Sequence, residues 1–153
     1  MDLASKIRDI PDFPNQGIVF KDITPLLQDA ESLRYAVDQM AEFAVGKKID
    51  VVVGAEARGF ILGAVLAYTL GAGFVPARKP GKLPFLTVAS EYDLEYGTDS
   101  LEVHNDAIVP GTRVLVHDDL LATGGTARAK CDLVQKLAVE VIGVTIIVEL
   151  SFK

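Results

Sequence analysis

Residues 114–126 read Val-Leu-Val-His-Asp-Asp-Leu-Leu-Ala-Thr-Gly-Gly-Thr, an apolar strand pattern that runs into two adjacent carboxylates and then a small turn. That order of groups suits a phosphorylated sugar. Asp118 and Asp119 fall at the carboxyl end of a buried strand, where open α/β sheets place ligands, and ionised carboxylates accept hydrogen bonds from vicinal ribose hydroxyls. Ala122, Thr123, Gly124, Gly125 and Thr126 then offer backbone N–H groups and hydroxyls to a 5′-phosphate. A Gly-Gly-Thr alone marks an ordinary helix start; the acidic pair and the apolar strand before it are what give this one chemical meaning.

Two commoner phosphate loops are excluded. No Gly-Lys-Ser/Thr ending follows the turn, so a nucleoside-triphosphate P-loop is absent, and no Gly-x-Gly-x-x-Gly follows a strand. A second candidate loop is Asp50-Val-Val-Val-Gly-Ala-Glu-Ala-Arg-Gly-Phe60, again a strand, a tight turn and a helix start. Arg78-Lys79-Pro-Gly-Lys82 sets three cations within five positions, suited to neutralising a leaving pyrophosphate.

These residues sit in a chain of 153 residues with a net charge of −6. The length predicts one domain with a substantial core. Acidity, with a pI near 4.8, argues against nucleic acid or an acidic membrane surface as partner, while a small polyanionic substrate responds to local charge instead. The single cysteine, Cys131, falls in a helical pattern and is read as a small packing residue in a reducing compartment. With no basic and apolar leader pattern at its start, the chain is expected in the cytoplasm. Gly59 through Ala77 is uncharged and long enough to merit a membrane test, but Gly71-Ala-Gly73 divides it into a buried helix and a core strand.

The elements that position these loops alternate. A short helix is predicted over Asp2–Arg8, broken by Pro11-Asp-Phe-Pro14, and a second over Ser32–Ala44, capped by Asp29 or Ser32. Strand 49–53, helix 58–70, strand 73–77, strand 112–117, helix 126–138 and strand 140–149 follow. Strands separated by helices imply an α/β fold with a parallel sheet covered on both faces. The connection from Arg78 to Gly111 is too long to be plain loop, and Leu94-Glu-Tyr96 with Ser100-Leu-Glu-Val103, joined across Gly97-Thr-Asp99, predicts a hairpin able to close over a site.

The 114–126 run resembles the phosphoribosyl-pyrophosphate (PRPP) loop of the type I phosphoribosyltransferases. Phe13-Pro-Asn-Gln-Gly-Ile-Val-Phe-Lys-Asp-Ile-Thr-Pro25 and Glu91-Tyr-Asp-Leu-Glu-Tyr-Gly97 narrow the likeness to the adenine-specific branch, over about Ile7 to Leu150. The resemblance implies a central, mostly parallel sheet flanked by helices, with a small hood and a flexible catalytic loop over 79–103. It implies that the 50–60 loop holds pyrophosphate through backbone N–H groups and Arg58, with a cis peptide at Glu56–Ala57 as the candidate bond. Adenine would stack between Phe20 and Leu120 and be read by main-chain groups of Val19 and Lys21, Glu95 would be the acid–base residue, and Tyr96 would close with it.

The expected reaction joins adenine to PRPP, giving AMP and pyrophosphate, with Mg²⁺ held mainly by PRPP and water and no direct protein ligand. A homodimer is expected by the same resemblance. Transfer to another base, such as hypoxanthine or xanthine, and a non-catalytic nucleotide sensor of the same fold are the alternatives; such sensors carry an added DNA-binding segment or a basic surface, and this sequence shows neither. Three positions depart from the family pattern. The chain stops at Leu150-Ser-Phe-Lys153, where relatives continue, as a truncated or an unusually short member would; Leu137-Ala-Val-Glu140 lacks the usual glycine; and His117 stands where an apolar residue is usual, read here as a partly buried histidine with one hydrogen bond.

Overall fold

The computed structural model describes residues 1–94, 97–121, 125–136 and 140–149, in two compact units divided after Phe43. In the first, a 3-10 turn over Leu3–Lys6 is followed by antiparallel strands β1 (Arg8–Pro11) and β2 (Val19–Asp22), then by helices α1 (Thr24–Gln28) and α2 (Ala30–Phe43). The helix expected over Asp2–Arg8 is thus shorter, and Arg8 begins a strand instead. The reason is cross-strand charge. Arg8 lies opposite Asp22 and Asp9 opposite Lys21, and these neighbours form ion pairs of 2.8 and 2.6 Å. Asp29 caps α2 as expected, accepting from the Ser32 N–H at 3.1 Å, and Ala36, Val37 and Met40 form its buried stripe.

The second unit is built on a four-stranded parallel sheet of order β4-β3-β7-β8, from β3 (Val51–Ala55), β4 (Gly73–Ala77), β7 (Arg113–Leu121) and β8 (Glu140–Glu149). Helix α3 (Arg58–Leu70) joins β3 to β4, and α4 (Gly125–Lys136) joins β7 to β8. The expected α/β fold with a parallel sheet is therefore present. In α3, Gly59, Leu62, Gly63, Leu66 and Ala67 make the buried face, and Gly71 ends the helix in the left-handed conformation. Thirteen residues rise only about 20 Å, too short for a bilayer. Among the described residues no helix is long and apolar enough to cross a membrane.

The predicted hairpin is present, with a different turn. Strands β5 (Thr87–Leu94) and β6 (Gly97–His104) pair antiparallel with Leu94 opposite Gly97, so Gly97-Thr-Asp99 opens the second strand rather than joining the two. Leu101 and Val103 of β6 enter the same core as Val53, Val75, Val114, Val116, Leu133 and Val134, which ties the root of the hairpin to the sheet. Strand β7 also runs further than the predicted 112–117, because β8 continues to pair with it as far as Leu121 opposite Glu149. The helix end at 137–140 that lacks a glycine falls largely outside the described residues.

Candidate active site

The site gathers where the pairing of β3 with β7 ends, at Gly54 and His117, beyond which β7 runs on to Leu121. Beyond Gly54, the chain turns through Glu56–Ala57, a cis peptide as expected, into α3. The turn is tight enough to demand glycine: a Cβ on Gly54 would lie 2.7 Å from the Gly59 carbonyl oxygen. Among the described residues no side chain caps the N-terminus of α3, which leaves its first N–H groups to the loop.

Asp118 and Asp119 are buried and lie within β7 rather than just past its end. Each carboxylate has its own cation. Arg58, on the first turn of α3, puts Nε 2.7 Å from Asp119 Oδ2, so the two candidate loops are linked by an ion pair. Burial raises the Asp119 pKa and Arg58 opposes that rise. Lys130 of α4 puts Nζ 2.8 Å from Asp118 Oδ2, and Asp118 Oδ1 accepts from the Asp119 N–H at 2.9 Å.

Sequence reasoning missed Lys130. Its signal was available: positions 129, 130, 133 and 134 share the buried face of α4, and a lysine on that stripe requires a carboxylate partner. His117 is fully buried, with Nδ1 3.1 Å from Thr145 Oγ1, its direct neighbour in the β7–β8 register. Burial and then the nearby Lys130 push its pKa down to about 4, so the ring is neutral. The expected single hydrogen bond is present, but the ring is fully rather than partly buried.

The cations of 78–82 are arranged otherwise. Arg78 Nε lies 3.3 Å from Glu56 Oε1 and its guanidinium stands over the Phe60 ring; Lys79 Nζ lies 3.1 Å from Asp99 Oδ2; Lys82 is exposed. Two carboxylates hold this segment. Glu56 accepts the Lys79 N–H at 2.7 Å, and Glu102, directly bridged to Arg78, accepts the Gly81 N–H at 2.9 Å. Glu91 is exposed on β5.

In the first unit, Val19 is exposed and the half-buried Phe20 ring meets Phe13 edge to face at 5.1 Å. The Lys21 side chain pairs with Asp9 at 2.6 Å. Glu95, Tyr96, Ala122, Thr123 and Gly124 lie outside the described residues, as do the side chains of Leu120, Gly125 and Thr126.

The family model described as a phosphoribosyl transferase domain matches residues 21–150. Adenine phosphoribosyltransferase of Thermotoga sp. strain RQ2 is 60% identical over 99% of this chain and 89% of its own length. The crystal structure of adenine phosphoribosyltransferase from Rhodothermus marinus matches with a TM-score of 0.94 and 55% identity, covering 97% of this chain and 84% of that one. The Saccharomyces cerevisiae enzyme, solved with an imino-altritol bisphosphate and adenine, matches with a TM-score of 0.90 and 38% identity, covering 97% and 86%. With the two carboxylates, the arginine loop and the parallel sheet already in place, this chain belongs to the type I phosphoribosyltransferase family, among the adenine phosphoribosyltransferases.

Proposed function

We propose that the protein performs purine salvage, transferring the 5-phosphoribosyl group of PRPP to adenine with release of pyrophosphate. The observation that carries the reading is the Arg58–Asp119 pair of 2.7 Å, which sets a candidate pyrophosphate loop against a candidate ribose carboxylate. A sugar held at Asp118 and Asp119 would have its 5′-phosphate on residues 122–126 and its C1′ pyrophosphate toward Arg58, Arg78, Lys79 and Lys82. Adenine N9 attacks C1′ as the C1′–O bond to pyrophosphate breaks. The proton that adenine loses passes to Glu95. Positioning and stabilisation of the departing charge supply most of the acceleration in such an oxocarbenium-like transfer.

Adenine specificity is assigned to main-chain groups of Val19 and Lys21, with Phe20 and Leu120 stacking on the ring; a fixed carbonyl and N–H distinguish the 6-amino from the 6-oxo purines. Tyr96 and the 79–103 segment would close over the site and exclude water. Among the described residues no group of three or more His, Cys, Asp or Glu is placed to hold a metal ion. By the family likeness Mg²⁺ is assigned to PRPP and water, where it would neutralise pyrophosphate oxygens. A homodimer is supported by the second apolar stripe of α3, where Ile61, Val65 and Tyr68, the last 88% exposed, share one face. The cytoplasm is the proposed location, in keeping with a single unpaired cysteine.

Competition among adenine, hypoxanthine, xanthine and orotate in one PRPP turnover assay tests the reading. Adenine should be consumed and AMP formed, whereas preference for hypoxanthine would sink the assignment. Glu95→Ala should lower turnover by about 10²–10⁴-fold, the usual worth of a general base.

A further inference from the structure

Helix α4 carries a charge where its own pattern calls for an apolar side chain. Ala129, Leu133 and Val134 are buried, and the Lys130 side chain among them is 0% exposed. An ammonium in such a place is costly unless it is paired, and a leucine would fill the stripe without that cost. Its contacts are specific. Nζ lies 2.8 Å from Asp118 Oδ2 and donates to the His117 carbonyl oxygen at 3.4 Å. Both are residues of the strand end that bears the candidate ribose carboxylates.

We propose that Lys130 is the positioning residue of Asp118, holding that carboxylate in one rotamer so that its remaining lone pairs meet a ribose hydroxyl of PRPP. The proposal rests on the PRPP reading above. Asp118 needs such a partner for two reasons. Asp119 is next to it on the strand, and two carboxylates that close repel one another. Arg58 already serves Asp119, so the cation that offsets this repulsion at Asp118 comes from another element. The rotamer follows from the same contacts: Oδ1 is held by the Asp119 N–H and Oδ2 by Lys130, and each oxygen keeps a lone pair.

The groups around the pair are compatible with this role. His117 and Asp119 face it from β7, Arg58 from α3, Cys131 from α4 and Tyr92 from β5. His117 is buried without charge, so it does not compete with Lys130 for the carboxylate. The opposing influence of Asp118 on Lys130 works against the fall in pKa that burial causes.

Steady-state kinetics of Lys130→Met, which keeps length and removes charge, tests the assignment. The KM for PRPP should rise by about tenfold or more, since small misplacements of a binding group have costs of this order, while the KM for adenine stays within about twofold. A variant with a lower melting temperature but an unchanged PRPP KM would make Lys130 merely structural and overturn the proposal. Should Lys130→Met fail to fold, the ¹⁵Nζ resonance of Lys130 in the wild-type protein decides: it should shift on saturation with ribose 5-phosphate, and a fixed resonance overturns the proposal. Failure of the PRPP reading shows separately, as wild-type protein that does not turn over adenine and PRPP.

Discussion

The end of β7 and the 78–104 segment both bring cations to carboxylates, and they do so in opposite ways. At the end of β7 the Lys130–Asp118 pair is buried, with side chains 0% and 8% exposed. In the 78–104 segment the Lys79–Asp99 pair is open to water, with the Lys79 side chain 56% exposed. Buried pairs cannot exchange partners without leaving a charge stranded in low dielectric. Exposed pairs are worth little and exchange readily. A site that must hold one part of a substrate and release another needs both. Fixed carboxylates suit a sugar that stays bound through the reaction, and exchangeable cations suit a pyrophosphate that arrives and leaves.

The contrast breaks first at Asp118. Asp118→Ala strands the Lys130 ammonium in the core and should destabilise the protein by about 3–5 kcal/mol in urea unfolding, together with a loss of PRPP turnover. A loss below about 1 kcal/mol would mean that the β7 pairs are no more fixed than those of the hairpin.

A somewhat smaller effect is expected from acid. His117 has a folded pKa of about 4 against an ordinary 6.5, so the unfolded chain takes up a proton there before the folded one does. Its contribution is fully present above pH 6.5 and is lost as pH falls toward 4, by about 3 kcal/mol. Unfolding at pH 7 and at pH 4.5 should therefore show a shallower acid loss in His117→Val than in the wild type. Parallel curves would show that the ring is not held neutral by burial.

The smallest effect belongs to the exposed pair. Asp99→Asn keeps the side-chain shape beside Lys79 and removes the charge, and should cost less than about 1 kcal/mol. Salt at about 0.5 M should erase that difference by screening while leaving the Asp118→Ala difference nearly intact. A salt-resistant loss at Asp99 would remove the distinction between the two regions.

Much of the architecture was legible because it rests on local patterns. The apolar run over α3, the β-branched strands and Gly71 placed α3 at 58–70, β4 at 73–77 and β8 at 140–149, as observed. Errors came where partners distant in the chain decide. Arg8 and Asp9 are helix-compatible until Asp22 and Lys21, more than ten residues later, draw them into a strand. Gly97 reads as a turn residue, yet it pairs with Leu94. Within the site, Arg58, Asp118 and Asp119 were visible from their motifs, whereas Glu56, Glu102 and Lys130 acquire meaning only from what they touch.

The sequence by itself determined the order of elements, the two loops at the ends of β3 and β7, and the chemical groups available there, because these depend on neighbours a few residues apart. Only the tertiary structure decided which cation serves which carboxylate and which histidine nitrogen finds a hydroxyl. Those pairings follow from the β7–β8 register and from where α3 and α4 lie against the sheet, and neither is written in any short stretch of chain.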